Sequence, residues 1–322
     1  MIKAYTKDYQ EIGRIKEIDK TKIRELIQDE DTIIWVDLDN PDESEIHLTL
    51  RDIFGFHPLT IEDCMKGQQR PKIEDFDKYT FMVLFDADLN RSGEIINEEL
   101  DLFFSKNFIV THHKEQIEAI DYLKELMPSN PKLFENGTDY LLYLILDRVI
   151  DSYLPVMDSI DDDIDMIENE VMAENNQQIM NYIFGLKRNL VRLRKALSPQ
   201  REILVQLTTR NFAYIKPGTV IYFRDIYDHI IRIIDIMESY RDLISGAMEI
   251  YLSTVSNNLN KIMKQLTLIA TIFMPITFMT GLFGMNFRLM AYDYGWLWYA
   301  SFGFMILVSL TMAIWFRIRR WI

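Results

Sequence analysis

The sequence predicts an α+β domain, a long helix leaving it, and two transmembrane helices at its C-terminal end. Three observations carry this. Short apolar runs bounded by turn residues are confined to residues 1–135. From Asp139 onward apolar residues recur at helical spacing instead. Residues 265–287 and 294–316 then form two runs without a charge, each exceeding the roughly 20 residues that cross a bilayer.

The elements follow in order. Residues 21–28 place Ile23, Leu26 and Ile27 on one face and read as a short helix, and 32–38 as an apolar strand. Pro41-Asp42-Glu43-Ser44 opens a helix that reaches Phe54, with Gly55 as its stop. His57-Pro58-Leu59 starts another through Cys64. Strands come at 79–85, 99–104 and 108–111, with turns at Asn90-Arg91-Ser92-Gly93 and Ser105-Lys106-Asn107, before 116–127 returns to helix. Residues 136–216 form a separate helical region. One helix runs from Asp139 to near Ala173, kinked or broken near Pro155. A second runs from Asn176 to near Leu197, ended by Ser198-Pro199, and a short one reaches Arg210. Pro217-Gly218 is the last strong breaker. No proline follows until Pro275, so 219–286 reads as one helix, on the order of 100 Å long. Its first part is a stalk that needs bundle partners, and 264–286 is the first span. A short link (287–293), the second span (294–316) and a basic tail (317–322) complete the chain.

The net charge is −14. From Lys261 on there are six positive and one negative residue, +5, which leaves −19 for the first 260. An acidic soluble part argues against nucleic acid as a partner and fits metal cations, although acidity also serves solubility. Cys64 is the only cysteine, which excludes an intrachain disulfide. Met1-Ile2-Lys3-Ala4-Tyr5-Thr6-Lys7-Asp8 has no apolar core for a signal peptide. Lys261 and Lys264 precede the first span and Arg317, Arg319 and Arg320 follow the second, with Arg288 alone in the link. The positive-inside rule puts both ends in the cytoplasm. Trp296, Trp298, Tyr299 and Trp321 fall where aromatic belts are expected. Adjacent His112 and His113 read as structural. The acidic run at 158–170 reads as a solvated helix face, with a divalent-cation surface as the alternative. No phosphate loop, nucleophile elbow or clustered His/Cys signature is present, so the sequence points to neither an enzyme nor an organic cofactor.

One stripe stands out: Glu249, Ser253, Ser256, Asn260, Met263, Thr267, Ala270, Met274, Thr277, Gly281, Gly284. Its steps alternate four and three, the seam of a left-handed bundle. The residues are small, polar or Met, while Ile262, Leu266, Ile269, Ile272, Phe273, Ile276 and Phe278 carry the bulk. Two readings stay open: close packing of membrane helices, and the lining of a pore entered at Glu249. Two helices cannot enclose an aqueous path, so the pore reading requires a homo-oligomer.

Gly284-Met285-Asn286 at the end of a first span, before a short link and a last span, resembles the signature of the CorA family of magnesium/cobalt transport channels. His57-Pro58-Leu59-Thr60-Ile61-Glu62-Asp63, Arg70-Pro71-Lys72, Tyr222-Phe223-Arg224-Asp225-Ile226-Tyr227-Asp228-His229 and Ala270-Thr271-Ile272-Phe273-Met274-Pro275 resemble the family too, so the similarity covers essentially the whole chain. The resemblance implies a funnel-shaped homopentamer in the cell's inner membrane, with the α/β domain and both termini cytoplasmic and the second span outside. Gly284, Met285 and Asn286 would form the filter for a hydrated divalent cation (Mg²⁺, with Co²⁺ or Ni²⁺). Asn260, Met263, Met274, Thr277, Gly281 and Asn286 match the family's pore. Leu266 matches a hydrophobic constriction there, whereas the periodicity selects Thr267. Glu62, Asp63, Asp147 and Asp225 match acids that bind regulatory cytoplasmic Mg²⁺ between subunits. No pump is implied, because a divalent cation gains roughly 4.6 kcal/mol in crossing 100 mV. The link departs from the family's frequent Met-Pro-Glu: Arg288-Leu289-Met290-Ala291-Tyr292-Asp293 leaves the ion preference open. A zinc transporter of the same superfamily and a non-conducting membrane-anchored sensor or scaffold are the alternatives.

Overall fold

The computed structural model describes residues 1–8, 14–90, 93–127, 130–172, 179–285 and 295–319. The chain divides into two compact units, Met1–Ala247 and Met248–Ile322.

The first unit is built on seven strands: β1 Ile2–Asp8, β2 Arg14–Glu17, β3 Ile34–Asp39, β4 Lys72–Phe76, β5 Tyr79–Leu89, β6 Ile95–Phe104 and β7 Phe108–His113. They form one sheet in the order β2-β1-β3-β7-β6-β5-β4. Neighbours are antiparallel except β3 and β7, which run parallel from Ile34↔Phe108 to Asp39↔His113. Alternation along each strand divides the side chains between two faces. On one face Val36, Phe81, Phe103 and Val110 share a core with Ile23, Ile46, Ile61 and Cys64, which come from α1 Ile23–Leu26, α2 Glu43–Ile46 and α3 Pro58–Lys66. The helices α4 Glu118–Leu126, α5 Thr138–Asp151, α6 Tyr153–Met172 and α7 Ile179–Thr209 follow, and α5, α6 and α7 pack on the strands.

Local chemistry explains the helix starts. Asp42 caps α2 by accepting from the Glu45 N–H at 2.8 Å. His57 caps α3 through Nδ1, which accepts from the Leu59 N–H at 3.2 Å, with Pro58 in the first turn, where its missing donor costs nothing. The helix expected to run to Phe54 is α-helical only to Ile46. It continues as a wider π-helical turn, His47–Ile53.

Two further expectations are corrected, and the break expected near Pro155 is present. The strands β1, β2 and β4 lie outside those read from the sequence, although Ile2, Ala4 and Thr6 are buried at period two along β1. The break between α5 and α6 falls at Ser152, which leaves Pro155 in the first turn of α6. The stop at Ser198-Pro199 does not occur, and α7 runs on through Pro199. An internal proline costs about 3 kcal/mol, but both flanks are pinned. Leu197, Ile203 and Leu204 are buried, and the Gln200 amide accepts from the Phe85 N–H at 3.1 Å and donates to the Tyr153 hydroxyl at 2.8 Å.

The last helix of the first unit begins α8, Val220–Phe283. Asp139 ties its start to α5, accepting from the Lys216 N–H at 3.1 Å and the Thr219 hydroxyl at 2.5 Å. Gly137 precedes α5 at φ +112°, and a Cβ there would lie 2.6 Å from Asp139 Oδ1, so only glycine fits. Phe223, Ile226, Ile230, Ile233, Met237, Ile244 and Ala247 form the buried line of α8. In the second unit, the rest of α8 and α9 Gly295–Ile318 are both long and apolar enough to cross a membrane.

A charged knot holds the sheet's second face. Asp37 is fully buried. Its carboxylate accepts from the Thr111 hydroxyl at 2.6 Å and lies 2.6 Å from Lys124 Nζ and 3.3 Å from His113 Nε2. Burial acts to raise the Asp37 pKa, but hydrogen bonding and charge from His113 and Lys124 outweigh it and hold the group below its ordinary value. The stability this confers is present at neutral pH and is lost as pH falls through the depressed pKa. Replacing Asp37 by Asn leaves buried His113 without its carboxylate and half-buried Lys124 with Asp121 alone, at 3.3 Å, so Asp37→Asn is expected to cost about 3 kcal/mol. A denaturant titration of the full chain checks this, and an unchanged midpoint contradicts it.

Candidate ion path and metal-binding groups

Beyond Ala247, α8 presents three lines of residues. The small and polar line is open in the single chain. Glu249, Ser253, Ser256, Asn260, Met263, Thr267, Ala270, Met274, Thr277, Gly281 and Gly284 are all exposed, Met263 at 57% and Met274 at 70%. A second line is apolar and also exposed: Leu252, Val255, Leu259, Ile262 and Leu266, again at alternating steps of three and four. The third is covered. Leu268 is buried, and Thr271, Ile272, Pro275, Ile276 and Met279 are half-buried. On α9 the covered residues are Ser301, Met305, Val308, Ser309, Met312, Ala313 and Phe316. Met312 faces Thr271 and Pro275 across an open groove. At 3.6 residues per turn, the covered line sits roughly 150° around the helix from the small-polar line. The chain's own helix packing therefore uses a different face from the stripe. Thr267 lies on the polar line and Leu266 on the apolar line beside it.

Hydroxyls on this helix are satisfied internally. Thr267 donates to the Met263 carbonyl at 2.8 Å, Thr271 to Thr267 at 2.7 Å, and Thr280 to Thr277 at 3.0 Å. At the helix end the Gly284 N–H donates to the Thr280 carbonyl at 2.9 Å. A Cβ on Gly284 would lie 3.2 Å from that same oxygen, a tight contact that glycine avoids. Met285 is exposed. Asn286 and the link residues Arg288 and Asp293 lie outside the described residues.

The four acids named from the sequence fall into two settings. Asp147 on α5 and Asp225 on α8 sit in one group with two residues that the sequence reading missed, Asp151 and His229. Ligand atoms of Asp147, Asp151 and His229 lie within 4.8 Å of one another, and His229 Nε2 is 4.0 Å from Asp225. The missed signal was the i, i+4 pairing of 147 with 151 and of 225 with 229, which puts each pair on one helix face. Burial, then repulsion from Asp151, raise the Asp147 pKa above its ordinary value. Burial, then Asp147, push Tyr143 up to about 12. Glu62 and Asp63 stand on α3, where Glu62 pairs with Lys66 and Asp63 with Lys72 at 2.8 Å.

The family described as CorA-like Mg²⁺ transporter protein matches residues 30–320. The chain is 36% identical over 318 residues to the cobalt/magnesium transport protein CorA of Thermotoga maritima, covering 97% of this chain and 90% of that one. It is 28% identical over 278 residues to the protein of the same name from Methanocaldococcus jannaschii, covering 86% and 87%. The complete structure of the CorA magnesium transporter from M. jannaschii superposes with a TM-score of 0.87 at 24% identity, covering 100% of this chain and 99% of that one.

The α5/α8 acids predict a pH-dependent effect. A raised carboxyl pKa means the folded chain holds this proton to higher pH than the unfolded chain, so ionised Asp147 works against folding at neutral pH. In chelator at pH 7, Asp147→Asn is expected to raise the thermal midpoint by about 2 °C. The difference should vanish near pH 3, where both side chains are neutral. Melts followed by circular dichroism at the two pH values check this, and a lowered midpoint at pH 7 contradicts it.

Proposed function

This chain belongs to the CorA-like Mg²⁺ transporter family, and on that premise we propose that it is a homopentameric channel of the inner membrane. It passes hydrated divalent cations inward down the membrane potential, Mg²⁺ first and Co²⁺ or Ni²⁺ with it. Residues 1–135, 136–216 and the stalk are cytoplasmic, as are both termini. The spans are 264–286 and 294–316.

The observation that carries this reading is the small-polar line of α8, exposed along its whole length and centred away from the covered face, with Thr267, Ala270 and Met274 reaching the groove that Met312 of α9 also borders. A membrane helix that packs intrachain through one face and keeps Thr, Asn, Met and Gly on the opposite one needs something other than lipid there. The exposed apolar line from Leu252 to Leu266 supports self-association, because its step pattern is that of a left-handed helical seam. Copies joined through that seam surround a path lined by the polar line, from Glu249 at its entrance through Asn260, Met263, Thr267, Ala270, Met274, Thr277 and Gly281, with Leu266 at the edge of the seam as its hydrophobic constriction.

At the far end Gly284, Met285 and Asn286 form the filter. Mg²⁺ sheds its water reluctantly. A ring of Asn286 amide oxygens accepts hydrogen bonds from that water shell, selecting the hydrated ion by size without holding it as a carboxylate ring would. The gate is cytoplasmic Mg²⁺ held between neighbouring subunits by Glu62, Asp63, Asp147 and Asp225, and the carboxylates supply the oxygen donors this ion takes. Empty, they repel one another. Occupied, they bridge and keep the channel closed.

Two measurements test this. Liposomes carrying the full chain should take up Mg²⁺, with uptake suppressed when Mg²⁺ is raised on the soluble-unit side. Asn286→Ala should cut uptake about tenfold or more, roughly the worth of one hydrogen-bonding ring. Unchanged flux sinks the filter, and no wild-type flux at low internal Mg²⁺ sinks the channel reading. Separately, Leu259→Asp with Ile262→Asp should shift the detergent-solubilised protein to smaller species in light scattering, because two charges per chain are placed in the seam. An unchanged mass removes the seam from the interface.

A further inference from the structure

A second group of metal-binding side chains lies in the first unit, on residues with no part in the reading above. The outward face of α3 carries Glu62 and Asp63. Its inward face carries Cys64, which is fully buried. Beneath it, β6 alternates so that Asn97, Glu99 and Asp101 share one face, and the β6–β7 register sets Asp101 opposite His112. Asp101 and His112 are 1% and 2% exposed. A sulfur of Cys64, a carboxylate oxygen of Asp101 and a ring nitrogen of His112 all lie within 4.8 Å of one another.

The polar atoms of this group are poorly satisfied. Asp101 Oδ2 lies 2.9 Å from His112 Nδ1. That contact places the proton on Nδ1 and leaves Nε2 with a free lone pair. His112 Nε2, Asp101 Oδ1, Glu99 Oε1 and Asn97 Oδ1 are all buried without a hydrogen-bond partner. They line one cavity of about 440 Å³, together with Cys64. With the proton on Nδ1, all four are acceptors. A buried acceptor without a donor costs on the order of 1–3 kcal/mol, and four around one cavity call for a cation. Of the nearby ammonium groups, Lys66 pairs with Glu62, and Lys114 Nζ donates to the Met65 carbonyl at 2.7 Å while its charge also acts on Glu99.

We propose that Cys64, Asp101 and His112, with Glu99 as a fourth donor, bind a borderline transition-metal cation of the Zn²⁺, Co²⁺ or Ni²⁺ class. A thiolate, an imidazole and carboxylates are the donors such ions select, whereas Mg²⁺ takes oxygen alone. With Asp101 as a ligand, the ion takes the place of the proton between Asp101 and His112 Nδ1, and that proton moves to Nε2. Four-coordinate Zn²⁺ bonds its ligands at about 2.0–2.3 Å, so the cluster closes on an ion by side-chain adjustment of about 1 Å. As the metal–sulfur bond forms, the thiol proton leaves to solvent. The cavity opens to solvent past Gly67, Gln68 and Glu115.

The test uses the reduced full chain in detergent, stripped with chelator and titrated with Co²⁺ as the probe. Cys64 is the only cysteine, so a thiolate-to-Co²⁺ charge-transfer band reports this site and no other, even if Co²⁺ also occupies oxygen sites elsewhere. The expected result is one such equivalent per chain, bleached by Zn²⁺ and untouched by a large excess of Mg²⁺. Cys64→Ser should abolish the band, and His112→Gln should weaken Co²⁺ binding about tenfold. The absence of the band in the wild-type chain, or its displacement by Mg²⁺, overturns the proposal and leaves a hydrated cavity around a structural His–Asp pair. The wild-type spectrum decides this without any variant and without any flux measurement.

Discussion

The second unit is governed by how little of α8 its own chain can cover. A helix that carries three distinct lines needs three different neighbours, and α9 supplies one. The exposed apolar line contributes roughly 1.5–3 kcal/mol for each large side chain it can bury. Association costs about 4–15 kcal/mol before any gain shows, so Leu252 to Leu266 alone leave a single pairwise contact marginal. Closing a ring changes the balance, because every copy then gains two interfaces while the last copy to join closes the ring. On the channel reading, the apolar seam favours a closed assembly over a dimer, and closure is also what a continuous small-polar wall requires.

The polar line is adapted to the same environment in a second way. Water is scarce inside a bilayer, so each hydroxyl must find an acceptor on its own chain. On the polar line Thr267 does this by donating to the Met263 carbonyl one turn back, as Thr271 and Thr280 do on other faces of the helix. Their protons are then committed, and the oxygen lone pairs remain. On the pore reading, the Thr267 oxygen then offers an acceptor to the outward-pointing protons of a cation's water shell. Simple small-residue packing would use the stripe to bring helices together, yet within the chain that contact is made by Leu268, Ile272, Pro275 and Ile276 on the far side.

Much of this was legible in the sequence because its signals were periodic. The 64-residue α8 follows from the absence of any breaker between Gly218 and Pro275, and the spans from two uncharged runs. The caps at Asp42 and His57 were readable because each is a local contact of two or three residues. The failures were contacts at long range. Pro199 stays inside α7 because Gln200 reaches Phe85 and Tyr153, far away in sequence. β1 carries a period-two pattern, but only its pairing with Val36 and Leu38 of β3 makes it a strand. At the sites, Asp147 and Asp225 came from the resemblance, whereas Asp151 and His229 needed only a check one helical turn along. The surroundings of His112 were also out of reach of the sequence. Beside His113 it looks like a structural pair, and strand alternation sends the two rings to opposite faces, His113 to Asp37 and His112 to Asp101.

That division of faces brings two kinds of cation chemistry onto one short helix. Glu62, Asp63 and Cys64 are consecutive on α3, the acids outward and the thiol inward. On the reading of the acids as subunit bridges, α3 must be held still for Glu62 and Asp63 to share an ion with a neighbour. The helix has nine residues and ends at Gly67, so packing rather than its own propensity keeps it in place. An ion fixing Cys64 to Asp101 and His112 would anchor α3 from below and remove part of the ordering cost of the bridge above. By linkage, an ion that stabilises the bridged form also binds more tightly to it. Occupancy of the sulfur site and closure by Mg²⁺ would then reinforce each other, with no contact between the two ions and with the discrimination between them set by donor atoms alone.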